Sequence, residues 1–200
     1  TGLMMIFMLI SALFMLRVEQ TTTLVVREYE VTREDLLRAL QDSFAKDLKQ
    51  WDAEFLGDMT LRFNNPGVLF ATGSASLRPE FQKVLSEFLP RYIKILTAEK
   101  FRRSIKEVRI EGHTSSFWGN SSNQEAYFKN MELSQARTRS TLEYILKLPE
   151  LAANADWLKA HVTANGLSSS RPIRKPDESI DETASQRVEF RIVTNAEERM

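Results

Sequence analysis

The sequence predicts an α+β chain in which an N-terminal transmembrane helix and a linker helix precede a βαβ-containing mixed sheet with helices on one face. Three observations carry this expectation. Residues 1–16 hold neither charge nor proline, an apolar helical stripe follows up to Trp51, and from Met59 onward segments of period two alternate with segments of helical period.

Length and composition narrow the function classes. A chain of 200 residues has room for one ordinary compact domain with attachments, hardly for two independent cores. Lysine plus arginine and aspartate plus glutamate both total 27, so the basic footprint of tight nucleic-acid binding is absent and no nucleic-acid partner is expected. With no cysteine and only His113 and His161, the chain offers neither a thiolate zinc site nor a cysteine nucleophile, and no cofactor is expected.

The first segment, 1–20, reads TGLMMIFMLISALFML before Arg17. A helix crossing hydrocarbon needs about 20 mostly apolar residues, so the run is slightly short and is expected to continue upstream of Thr1. Leu16-Arg17-Val18-Glu19 is not a small-residue cleavage site, which argues against a signal peptide. A buried core helix is rarely apolar all the way round, whereas here only Ser11 interrupts.

The linker, 21–56, starts with a threonine-rich turn at Thr21-Thr22-Thr23. Thr32 can then cap a helix with Asp35 at the capping-box position, followed by Leu37, Leu40, Phe44, Leu48 and Trp51 at helical spacing. That stripe packs against its own domain or pairs two copies side by side, and the pattern leaves both open.

The domain, 57–195, begins with a hairpin-like pair, Met59–Phe63 and Val68–Phe70, joined through Asn64-Asn65-Pro66-Gly67. Pro79 suits the first turn of a helix with Phe81, Val84, Leu85, Phe88, Tyr92 and Leu96 on one face. Glu107–Glu111 alternates as a half-buried strand. A polar loop, 115–129, leads to a helix near Leu133-Ser134 with Leu142 and Ile145 on its buried side, and Pro149 opens another carrying Leu151 and Leu158. His161–Ala164 and Arg187–Ile192 are the final strands, and 196–200 form a tail.

No set of residues for enzymatic chemistry is recognisable. Ser168-Ser169-Ser170 lacks a glycine-bounded elbow, and Gly73 has no phosphate-loop lysine after it. The informative stretch is Ile110–Ser115, a strand ending in Gly112 followed by His113, Thr114 and Ser115, three side chains able to form hydrogen bonds. Arg137, expected one turn into the following helix, can grip a carboxylate in bidentate fashion, and Asn130, just before that helix, can orient an amide. The same residues can instead tie a loop to a helix.

The strings VLFATGSASLRP, IEGHTSS, NMELSQARTRS and QRVEFRI, in this order from near Phe63 to Val193, resemble the successive signatures of the OmpA/MotB family. The family typically reads IxGHTD and NxxLSxxRA. The resemblance implies a domain that binds the peptide stem of peptidoglycan. It implies that Arg137 clasps a diaminopimelate carboxylate, with His113, Thr114, Asn130, Leu133 and Ser134 at matching positions. Where the family has the aspartate that holds the amine, this chain has Ser115, which supplies no charge, so amine recognition is expected to be weaker or to use another group such as Glu125 or Glu132. Phe117, Trp118, Tyr127 and Phe128 are available to cover a ligand. Arg187 matches a later family arginine and is expected to be structural, as is His113, with no metal role.

A single membrane helix before such a domain is similar to the stator subunits of ion-driven motors. Within that group the strings look most like the B subunits of Zorya antiphage systems. That likeness implies a homodimer within a ring of A-type, MotA-like membrane subunits, driven by proton flow. It also implies an inner-membrane, single-pass chain with its C-terminal domain in the periplasm, and an ion-binding acid upstream of Thr1. A flagellar MotB-type stator and a non-conducting membrane-to-wall tether are the alternatives.

Overall fold

The structure, a computed structural model, describes residues 2–64 and 66–195; Asn65 of the expected turn, Thr1 and the expected tail lie outside the described residues. Its elements are α1 (Gly2–Phe44), β1 (Ala53–Phe55), β2 (Thr60–Phe63), α2 (Pro66–Leu69), α3 (Pro79–Leu96), α4 (Glu99–Arg102), β3 (Ile105–His113), α5 (Asn123–Lys147), a 3-10 turn (Pro149–Asn154), α6 (Ala155–His161), β4 (Val162–Gly166), α7 (Glu182–Ser185) and β5 (Arg187–Thr194). The chain divides into two compact units after Arg38.

In the first unit the helix runs unbroken through Thr21-Thr22-Thr23, where a turn was expected. Threonine lowers helix propensity by only a few tenths of a kcal/mol, roughly, and neither glycine nor proline interrupts the run. Every large apolar side chain from Leu3 to Val18 is 48–84 % exposed. Among the described residues no helix is long and apolar enough to cross a membrane.

The second unit is built on a five-stranded sheet of order β1-β2-β5-β3-β4. β3 and β4 run parallel and are joined through α5, which makes the expected βαβ unit. The other pairs are antiparallel. Period-two alternation sends Leu61, Phe63, Val108, Ile110, Phe190 and Ile192 into the core. Opposite them Phe88 of α3 is the hub of the aromatic packing, 4.6 Å from Tyr92, 5.3 Å from Phe44, 5.4 Å from Phe190 and 5.8 Å from Phe63 between ring centroids. Such tilted and edge-to-face pairs add about 0.5–1.5 kcal/mol each beyond the area they bury.

Phe44 and Trp51 belong to this cluster, so that part of the linker stripe packs against its own domain. The helix stops at Phe44, short of Trp51, and the end is fastened by Arg91 of α3. Arg91 pairs with Asp47 at 2.6 Å, donates to the carbonyl of Ser43, and lies 4.5 Å above the Phe44 ring. β1 then forms inside the segment assigned to the linker. The hairpin joins β1 to β2, with Met59 at φ 63° in its turn, rather than joining 59–63 to 68–70. Pro66 opens α2 instead, and Phe70 makes only an isolated bridge to Leu77.

The polar loop is also shorter than expected. α5 starts at Asn123, because the Ser122 hydroxyl accepts from the Glu125 amide and the Glu125 carboxylate accepts from the Ser122 amide at 3.1 Å. This capping box places Asn130 inside the helix and Arg137 about four turns into it, not one.

Candidate functional site

The site forms where α5 crosses the C-terminal ends of β3 and β4. Glycine at both strand ends permits that crossing. A Cβ on Gly112 would lie 2.7 Å from Thr138 Cγ2 and 3.0 Å from the Ser134 carbonyl, and one on Gly166 would lie 2.3 Å from the Gln135 amide nitrogen. The helix backbone therefore rests directly on the sheet. Ser134, fully buried at this contact, donates to the Met131 carbonyl at 2.9 Å and accepts from the Ser168 amide at 3.1 Å. It braces the helix against the loop after β4 and does not line the pocket.

With that contact fixed, Asn130, Leu133 and Arg137 face the end of β3 across a pocket of about 310 Å³, whose opposite wall is Thr114 and Ser115. Phe117, Trp118 and Gly119 close one side, and Thr72, Gly73 and Gln186 another. Asn130 donates to the Phe117 carbonyl at 3.1 Å, so the residue expected to orient a ligand amide holds the aromatic loop. The Thr114 hydroxyl is buried and has no hydrogen-bond partner among the described residues. An orphaned buried hydroxyl costs about 1–3 kcal/mol, which a ligand atom can recover.

Arg137 dominates the electrostatics. It is 9 % exposed, stacks 5.0 Å from the Phe70 ring, and donates from Nε to the Ser74 carbonyl at 2.9 Å and from Nη2 to the Ala71 carbonyl at 3.2 Å. The Ala71–Ser74 loop thus orients the guanidinium. Nη1 is left uncommitted, and no carboxylate among the described residues pairs with the group. Burial pulls its pKa down from the ordinary arginine value. The pocket wall carries one charged side chain and no acid, so it suits an anionic group.

His113 does not reach this pocket. It lies under the sheet end with Nε2 3.2 Å from Glu189 and 3.9 Å from Glu111, at ion-pair distance but off the line of a well-formed hydrogen bond. The three side chains are close enough to hold a metal. However, Glu189 already accepts from Arg62 at 2.8 Å and Arg187 at 2.7 Å, and Glu111 pairs with Arg171 at 3.3 Å. Three guanidiniums around two carboxylates leave no excess negative charge for a cation. Burial would raise the Glu189 carboxyl, but the close His113 ring and the charge and hydrogen bond of Arg187 outweigh it and hold it well below the usual carboxylate range.

Arg187 sits in this cluster, donating also to the Arg171 and Ser185 carbonyls. Glu125 is engaged in the helix cap and Glu132 is exposed, and neither is on the pocket wall. The acid that touches this loop is Glu182, whose carboxylate accepts from the Ser116 amide at 2.8 Å and the Ser116 hydroxyl at 2.5 Å. Of the four aromatics, Phe117 and Trp118 line the pocket, while Phe128, 62 % exposed, packs edge-on against Tyr127 at 5.9 Å.

No protein-family profile matches the chain. The Zorya protein ZorB of Escherichia coli strain Crooks is 43% identical over 201 residues, covering 98% of this chain and 85% of that protein. Among solved structures, a putative MotB-like protein from Desulfovibrio vulgaris is 26% identical with a TM-score of 0.52, over 80% of this chain and 94% of its own. The cell wall anchor of the type VI secretion system from Pseudomonas aeruginosa is 23% identical with a TM-score of 0.52, over 78% and 97%. The periplasmic domain of Helicobacter pylori MotB is 17% identical with a TM-score of 0.50, over 74% and 83%. These last two likenesses are in fold, the mixed sheet with helices described above.

Proposed function

Because the chain belongs to the family of the Zorya protein ZorB, we propose that it is the peptidoglycan-anchoring stator subunit of an inner-membrane, proton-driven motor in antiphage defence. The observation that carries the anchoring step is Arg137, a buried guanidinium that has no acid partner among the described residues, at a pocket lined by a hydroxyl equally unpartnered among them. A carboxylate of the peptidoglycan stem peptide completes it. Because Nε and one Nη2 hydrogen are spent on carbonyls, the grip runs through Nη1 and the remaining Nη2 hydrogen. Thr114 and Ser115 supply hydroxyls to the rest of the peptide without charge, and the Phe117–Gly119 loop covers it.

The remaining features extend this reading. Residues 1–20 form the periplasmic end of a single membrane helix whose apolar side chains, exposed in the isolated chain, are covered by lipid and by a ring of A-type subunits around a pair of copies. Residues 57–195 stand in the periplasm and hold the wall. No catalytic step is assigned to the chain.

Co-sedimentation of the detergent-solubilised full chain with purified sacculi tests the anchor. Arg137→Ala is expected to lower the pelleted fraction at least tenfold in apparent affinity, about 1.4 kcal/mol, and Thr114→Val to lower it less. Retention unchanged in both variants, at wild-type thermal stability, would reject the site.

A further inference from the structure

A second pocket, of about 570 Å³, lies between the start of α4 and the end of α6 and is lined by Thr97, Glu99, Arg102, Arg103, Trp157 and His161. Arg103 immediately precedes the segment leading into β3, whereas the first pocket sits beyond the other end of that strand. Nine residues of strand at about 3.3 Å each put roughly 30 Å between the two. The second pocket therefore takes a ligand independently of the first.

Exposed arginines are ordinary, but here they share a pocket with a stacked aromatic pair. Trp157 is 6 % exposed, and its indole N–H has no acceptor among the described residues. His161 stacks on the indole at 4.6 Å with 10° between planes, and its Nδ1 lies 2.9 Å from the Trp157 carbonyl. A carbonyl only accepts, so Nδ1 carries the proton and the ring is locked in place. The Arg102 and Arg103 side chains have no hydrogen bond or ion pair among the described residues. Among the described residues Glu99 is the single acid on the wall, and it pairs with neither of them.

We propose that this pocket binds a phosphate group. Two neighbouring guanidiniums give several N–H donors at one space, which matches the several oxygens of a phosphate better than the two of a carboxylate. The excess of positive over negative side chains, two against one, has the same sign. The phosphate can come from a soluble ester or a lipid headgroup.

The three tryptophans provide the measurement, since Trp157 reports on this pocket, Trp118 on the first and Trp51 on the core. Indole N–H resonances of the 15N-labelled full chain in zwitterionic micelles are followed while inorganic phosphate replaces chloride at constant ionic strength, with Trp157→Phe for assignment. A saturable shift of Trp157 alone is expected, half complete at ~1–10 mM. In Arg102→Ala/Arg103→Ala, where both replaced side chains are exposed and folding is not at stake, the shift should be lost. No saturable shift by ~50 mM, or an equal shift in the double variant, would overturn the proposal. A parallel titration with short-chain phosphatidylglycerol decides the source: a tighter response than to free phosphate assigns a lipid headgroup, and a weaker one a soluble phosphate.

Discussion

Replacing Gly166 with alanine tests whether the direct seating of α5 on the sheet builds the site. The added Cβ would stand 2.3 Å from the Gln135 amide nitrogen, 2.6 Å from its Cα and 2.5 Å from its Cγ. Two of these three are backbone atoms in the middle of a helix, so rotamer adjustment cannot relieve the overlap. The helix must withdraw by about an ångström, and overpacking of this kind costs about 1–3 kcal/mol; we expect the upper end, about 3 kcal/mol. With a urea m-value of about 2 kcal/mol per M, the unfolding midpoint falls by about 1.5 M. Gly57, with nothing within 4 Å of its virtual Cβ, is the control, and Gly57→Ala should stay within about 0.5 kcal/mol of wild type. Because α5 also carries Asn130 and Arg137, Gly166→Ala should weaken pelleting with sacculi even where the folded fraction is full. A midpoint within ~0.3 M of wild type together with intact pelleting would refute the seating argument.

Three further outcomes follow from single contacts. The folded-state pKa of Glu189 is depressed, so its contribution is full above the unfolded carboxyl value, about 4.3, and drains away as pH falls below it; the stability gap between wild type and Glu189→Gln should be wide at pH 7 and close in acid, and a gap independent of pH would contradict the charge cluster. Ser122→Ala removes the cap of α5 and should cost about 1 kcal/mol in urea melts. Phe44→Ala empties a site between Trp51, Phe55 and Phe88 and should cost about 3–5 kcal/mol at any protein concentration. A loss that grows on dilution would instead return the linker stripe to a seam between copies.

The elements legible in the sequence were those with a long, unmixed period. β3, β5 and α3 declare themselves because Val108/Ile110, Val188/Phe190/Ile192 and Phe81/Leu85/Phe88/Tyr92 repeat without interruption. The misreadings fell where a short local signal competed with a longer one. Ser122 and Glu125 spell a capping box, but the aromatic and polar residues around them hid the helix start, so Asn130 and Arg137 were placed too near its beginning. The stripe ending at Trp51 kept helical spacing although the helix stops at Phe44, because Trp51 returns to the same cluster from a turn.

At the site, residue types pointed to Thr114, Ser115, Asn130 and Arg137 and the family resemblance to Leu133, and the fold brings these five to one pocket. His113 and Ser134 share the same strings but face away from it, a distinction that depends on strand pleat and helix face. The contributions of Thr72, Gly73 and Gln186 come from distant loops. Holding Arg137 by the Ala71 and Ser74 carbonyls leaves no trace in side-chain type, since any residue supplies a carbonyl.

The Arg91 clasp has a mechanical consequence. Tension drawn along the end of α1 meets β1 next in the chain, an edge strand paired over three residues, which would peel from β2 one bond at a time. The clasp intercepts that pull first, handing it through Asp47, the Ser43 carbonyl and the Phe44 ring to α3, where the contacts are loaded together and in shear. From α3 the path reaches Phe190 on β5 and then β3 beneath the Arg137 pocket, so a pull entering at Phe44 is passed to the central strands of the sheet ahead of its three-residue edge.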